Sequence, residues 1–180
     1  MRDVKRRKRD KCRDPHSSGK ITLNTDGCPC GDPGKGGFGG VFCDEERVWL
    51  YGFFGKLENC YSLEVEMWGI YCGLTFVLGK GLRKVIIETN LTMAEELLTK
   101  GPPLNCPYQS IIEDSRHLIQ WCNCTIQHIM WETKKYVDKL ANMGAAQSKV
   151  VVVVVVVEEP PVKVRSQILV DMVGVEYRRI

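Results

Sequence analysis

Ile21-Thr22-Leu23-Asn24-Thr25-Asp26-Gly27 is the stretch whose reading decides the fold. Apolar and polar residues alternate from Ile21 to Asp26, the period-2 pattern of a half-buried strand. The strand delivers a carboxylate, Asp26, where a glycine lets the chain turn. Two further strands follow at short intervals, Phe38–Cys43 and Val48–Phe54, with Asp44-Glu45-Glu46-Arg47 turning between them. Connections this short predict an antiparallel meander. Gly31-Asp32-Pro33-Gly34-Lys35-Gly36-Gly37 is glycine-rich but lacks a G-x-x-x-x-G-K-[ST] pattern and precedes a strand, so a hairpin loop is expected rather than a phosphate cradle.

Beyond the meander the periodicity changes. Ser62 suits an N-cap for a helix running to about Leu78, with Leu63, Met67, Ile70, Tyr71, Leu74 and Leu78 facing the sheet. Gly79-Lys80-Gly81 stops it, and Lys84–Glu88 reads as a fourth strand. A helix over Thr92–Lys100 ends at Gly101-Pro102-Pro103. The next carries Ile111, Ile112, Ser115, Leu118, Ile119 and Cys122 on one face. A fifth strand is expected over Thr125–Trp131 and a last helix over Lys134–Met143. The order β-β-β-α-β-α-α-β-α describes an α/β domain with a five-stranded mixed sheet.

Charge and composition divide the chain of 180 residues into three parts. Residues 1–20 hold nine Lys/Arg against three Asp, a net of +6, whereas the other 160 carry sixteen basic and nineteen acidic residues, a net of −3. The arm includes Lys5, Arg6, Arg7, Lys8 and Arg9, a basic 5-mer suited to nuclear import or to non-specific phosphate contact, and equally to a solvated tail. It has no apolar run, so neither a secretory signal nor an anchor is read in it. Nine cysteines then imply a reducing, intracellular setting with free thiols, and the Asn90-Leu91-Thr92 and Asn123-Cys124-Thr125 patterns are not read as glycosylated. Cys28-Pro29-Cys30 and Cys122-Asn123-Cys124 are spaced more tightly than usual zinc ligands and are read as ordinary thiols. Residues 145–180 form the third part. Val150–Val157 is a run of eight valines, too short to cross a bilayer, and is read as a repeat expansion in a tail rather than as an added edge strand.

Asp26, the Gly36-Gly37-Phe38-Gly39-Gly40-Val41 stretch, Glu66-Met67-Trp68-Gly69 and Val137-Asp138-Lys139-Leu140-Ala141-Asn142 together resemble a type 1 ribonuclease H domain. More narrowly, they resemble the ribonuclease H-like domains left in plant genomes by non-LTR retroelements, which a reverse transcriptase domain precedes. The resemblance covers about residues 21–144. It implies a five-stranded sheet flanked by helices and hydrolysis of the RNA strand in RNA–DNA hybrids. It also implies two Mg²⁺ ions held by four acids, because Mg²⁺ prefers hard oxygen ligands and two cations roughly 4 Å apart stabilise the attacking water and the leaving oxygen.

Carried onto this chain, Asp26, Glu66 and Asp138 match the first, second and fourth acids. The third falls in Glu88-Thr89-Asn90-Leu91, where Asn90 stands in the acid's place. An asparagine keeps one oxygen ligand but removes a negative charge, so impaired catalysis is expected. Glu88, on the same strand face as Asn90, is read as a solvated residue, and His128 as a hydrogen-bonded structural histidine. Lys134, Lys135 and the basic arm are the expected phosphate contacts. The expected partner is an RNA–DNA hybrid or duplex RNA bound by a monomer, with no membrane partner. The alternatives are a catalytically inactive binding module and a decaying retroelement fragment.

Overall fold

A computed structural model describes residues 19–130, 135–148 and 154–173. The elements, in chain order, are β1 (Thr22–Gly31), β2 (Gly34–Cys43), β3 (Trp49–Cys60), α1 (Ser62–Gly79), β4 (Ile86–Thr89) and α2 (Thr92–Lys100). They continue with α3 (Gln109–Trp121), β5 (Thr125–His128), α4 (Lys135–Ala145), β6 (Val155–Val157) and α5 (Val162–Val173). The sheet order is β5-β4-β1-β2-β3-β6. The first three strands form the expected antiparallel meander, while β4 runs parallel to β1 and β5 parallel to β4.

The first strand does not stop at Asp26. It runs on to Gly31 and turns through Asp32-Pro33 into β2, so the glycine-rich loop is mostly paired strand, with Cys30 opposite Lys35 and Gly31 opposite Gly34. The parallel partner ends sooner. The last β1–β4 pair is Asn24 with Glu88. From Asp26 onward β1 therefore belongs to a three-stranded ribbon of β1, β2 and β3 whose β4 side is open.

Helices cover both faces. On one face α1 packs against β1 and β2, burying Val65, Met67, Ile70, Leu74 and Val77 with Leu23, Phe38, Phe42, Phe53 and Ile87. This face is rotated from the expected one: Val65 and Val77 replace Leu63 and Leu78 at the centre, and Leu78 is 46% exposed. The rotation follows from Gly69 and Gly73. A Cβ at Gly69 would touch Thr25, and one at Gly73 would overlap the Leu23 side chain, so the helix seats on its glycine ridge. Ser62 is the first helical residue rather than the cap. Tyr61 takes the cap position, its N–H donating to Glu64 Oε2 (3.4 Å), and the Ser62 N–H donates to Asp32 Oδ1 (3.3 Å).

The opposite face is covered by α4, which lies on β1, β2 and β3 at backbone-contact distance. A Cβ at Gly39 would come within 2.8 Å of Leu140 Cβ and 2.9 Å of Ala141 N, and one at Gly37 would overlap Ala141 O and Ala145 N. Side chains there would hold the helix away; only their absence permits the contact.

The sheet has six strands, which corrects the expected five. Val155, Val156 and Val157 pair antiparallel with Phe54, Phe53 and Gly52 on the free edge of β3. Valine, with its branched Cβ, suits a pleated surface, and an uncovered β3 edge would expose unpaired backbone groups. The run also acquires an in-and-out pattern that its composition lacks. Val155 and Val157 pack on the cluster of Val41, Cys43, Phe54, Val137 and Leu140, whereas Val156 is half exposed. Pro160-Pro161 then leads into α5, whose Val164 is fully buried in that cluster.

Gly37→Ala should destabilise the fold by about 1–3 kcal/mol, because its methyl meets helix backbone rather than a movable side chain. The check is urea denaturation followed by circular dichroism. An unchanged midpoint would mean that α4 does not sit at this distance from β2.

Candidate functional site

The open end of the sheet collects polar residues from four elements. Asp26 is buried at 2% exposure, and its Oδ1 accepts a hydrogen bond from the Gly27 N–H at 3.0 Å. Gly27 faces α1. A Cβ at this position would lie 3.1 Å from Glu66 Cδ and 2.9 Å from Val65 Cγ1, so the glycine makes room for the Glu66 side chain beside β1. Asp138 occupies the first turn of α4, where the exposed N–H groups favour a carboxylate.

A chain of hydrogen bonds ties α4 to the ribbon. The Asn142 Nδ2 donates to the Asp138 carbonyl oxygen (2.8 Å), and the Cys28 Sγ–H donates to Asn142 Oδ1 (3.1 Å). Burial pushes the Cys28 thiol up to about 11, with Cys30 adding to the effect and then Asp138 and Asp26. The thiol is therefore neutral at physiological pH.

Asn90 follows β4 directly. Glu88 pairs with Asn24 and so shares the sheet face of Asp26, and Asn90 lies two positions beyond Glu88, just past the end of β4. The Asn90 Oδ1 is buried without a hydrogen-bond partner among the described residues. Its main chain is engaged, since His128 Nε2 lies 3.2 Å from the Asn90 carbonyl oxygen. His128 is exposed on the last residue of β5, and its tethering to backbone agrees with a structural role.

Glu88 is not the solvated residue expected. It is 2% exposed and held by three donors: Arg47 Nη1 to Oε2 at 3.1 Å, Arg47 Nη2 to Oε1 at 3.4 Å, and Gln127 Nε2 to Oε1 at 3.2 Å. β4 is an interior strand, between β1 and β5, and Arg47 reaches over this face from the β2–β3 turn with φ +63°. Sequence reasoning missed Arg47 and Gln127 for a concrete reason. Gln127 is revealed only by the β4–β5 register, in which it sits opposite Glu88, and Arg47 only by the fold of its turn.

Donor chemistry and geometry diverge on the metal. Asp26, Glu66, Asp138 and the Asn90 amide offer hard oxygens of the kind Mg²⁺ takes. Yet no group of three or more His, Cys, Asp or Glu among the described residues is gathered closely enough to hold an ion. The C-x-C pairs form no metal cluster either; Cys122 and Cys124 are buried thiols. Of the expected phosphate contacts, Lys135 is exposed at the start of α4, whereas Lys134 and Lys5–Arg9 lie outside the described residues.

Arg47→Met should cost about 1–3 kcal/mol by stripping a buried carboxylate of two of its three donors. In a double-mutant cycle, Arg47→Met with Glu88→Met should recover most of that loss, measured by chemical denaturation. Additive effects in the cycle would show that the pair is not coupled.

A family model described as reverse transcriptase-like matches residues 24–144. A protein of Arabidopsis thaliana named "Putative ribonuclease H protein" is 30% identical over 126 residues, which is 69% of this chain and 20% of that protein. The chain thus spans about one fifth of the length of this relative. Among solved structures, ribonuclease H1 of the halophilic archaeon Halobacterium salinarum superposes with a TM-score of 0.65 at 20% identity, over 70% of this chain and 97% of its own. The N-terminal ribonuclease H domain of a Mycobacterium tuberculosis protein gives 0.66 at 20% identity, over 73% and 99%. A ribonuclease H1 from compost, solved in complex with an RNA/DNA hybrid, gives 0.64 at 21% identity, over 70% and 96%. The structures establish the ribonuclease H-like fold; the family match, covering more than half of the sequence, establishes descent, and the chain belongs to the reverse transcriptase-like family of ribonuclease H-like domains.

Proposed function

We propose that this chain binds RNA–DNA hybrid and that its ability to hydrolyse the RNA strand is strongly impaired by Asn90. The observation that carries this reading is the Asn90 amide. It lies just past the end of β4, the strand beside β1, with a buried acceptor that no group among the described residues uses. In this reading Asp26, Glu66 and Asp138 are the metal-holding carboxylates and Asn90 is a neutral fourth ligand. Bound Mg²⁺ would supply charge stabilisation for the attacking water and the leaving oxygen.

The residues of the chain divide the remaining work. Gly27 orients the Asp26 carboxylate through its N–H, and Glu66 enters beside it because Gly27 has no side chain. The Asn142–Cys28 contact holds the first turn of α4, and with it Asp138, against the ribbon. Glu88 does not make up the lost charge, being neutralised by Arg47 and occupied by Gln127. Lys135, Lys134 and the basic arm provide phosphate contacts. The compost relative solved with RNA/DNA hybrid supports the choice of partner.

The deciding experiment is Mg²⁺-dependent cleavage of a labelled RNA–DNA hybrid by the chain and by Asn90→Asp. The variant should bind Mg²⁺ more tightly and cut faster, each by roughly 10–100-fold. If only the variant cuts, the chain is a disarmed nuclease. Equal activity in both would overturn the charge argument, and no cleavage by either would leave binding as its function. Hybrid affinity should fall with increasing salt, and Lys135→Ala should make the log–log salt slope shallower by about 1.

A further inference from the structure

Cys28-Pro29-Cys30 is a motif that the nuclease reading leaves unexplained. The two cysteines stand two residues apart on β1, so both project from the strand face that carries Asp26. Cys30 is exposed and Cys28 partly so, and both are reduced. The other C-x-C pair differs, since Cys122 and Cys124 are both buried. Among the described residues no third His, Cys, Asp or Glu joins Cys28 and Cys30 in a metal-holding group, so the donors on offer are two sulfurs.

We propose that Cys28 and Cys30 form a two-thiol capture site for a thiophilic, trivalent metalloid centre. Sulfur donors select soft acceptors over the hard cations that the neighbouring carboxylates favour. Two sulfurs held on one strand face close a ring on a single acceptor atom. With an organic arsenoxide the step balances without redox chemistry. Two As–S bonds form, the As=O bond breaks, both thiol protons leave with that oxygen as one water, and arsenic stays trivalent. The exposed Cys30 engages first and Cys28 closes the ring. Closure removes the Cys28 proton that is donated to Asn142 Oδ1, so capture releases the tie between the ribbon and α4.

The test uses the full chain, a phosphine as reductant and phenylarsine oxide as the probe, followed by alkylation and trypsin. Cleavage after Lys20 and Lys35 yields the peptide Ile21–Lys35, in which Cys28 and Cys30 are the two cysteines. Mass spectrometry should find one phenylarsenic group on this peptide and no alkylated cysteine. Cys28→Ser and Cys30→Ser should each weaken capture by roughly 100-fold, the loss expected when two-point attachment becomes one-point. Melting curves establish that the variants fold, and Cys30→Ser, at an exposed position, preserves the test if Cys28→Ser does not. The proposal is overturned if both cysteines alkylate in the presence of the probe, or if either folded serine variant captures as well as the parent. Neither readout depends on nuclease activity, so the failure of one proposal leaves the other standing.

Discussion

Backbone-to-backbone approach, made possible by missing side chains, is the constraint on which the rest of this structure depends. The α4 helix lies on β2 at Gly37 and Gly39, and on β3 where Gly144 meets Gly55 O, closely enough that any Cβ would collide with main chain. On the other face Gly27 and Gly73 let α1 seat closely against β1, there making room for the side chains of Val65, Glu66 and Leu23. The two helices are drawn in from opposite sides of one sheet, α1 bringing Glu66 beside Gly27 and α4 being tied through Asn142 to Cys28 of β1. Close packing normally fills interiors with side chains; here the fold spends glycine to bring polar groups together.

The electrostatics of that end follow from what each carboxylate has for a partner. Asp26 accepts a backbone N–H and shares its surroundings with Cys28 and Asp138. Glu88, the acid nearest Asn90 in sequence, is spoken for by Arg47 and Gln127 and buried beneath them. Such a burial is tolerable only because the charge is paired and hydrogen-bonded. The same pairing keeps Glu88 from acting as a spare negative charge. The identity of residue 90 thus matters more here than a count of nearby acids would suggest.

The edge of the sheet shows how context overrides composition. Eight valines carry no periodicity, and as an isolated stretch they read as a tail expansion. Against the open edge of β3 three of them gain alternation, two facing the Val41–Leu140 cluster and one facing solvent. The reversal from tail to sixth strand required knowing that β3 had an unpaired edge, which is a property of the assembled sheet.

Local sequence sufficed for the element order as far as α4, for the antiparallel meander, and for Asp26, Glu66, Asn90 and Asp138 as the residues of interest. Those follow from local information: period-2 and period-3.6 patterns, glycine and proline punctuation, and four short motifs in a consistent order. It also put Asn90 where the resemblance implies an acid, since that is a matter of identity rather than of geometry. Tertiary structure alone decided the extension of β1 to Gly31, the burial of Glu88 under Arg47, the opposition of Gln127, and the Cys28–Asn142 tie to α4. The last three join residues tens of positions apart, and which residues meet is fixed by strand register and helix seating. A one-residue slip in register would turn Glu88 and Asn90 to the opposite face without changing any local pattern.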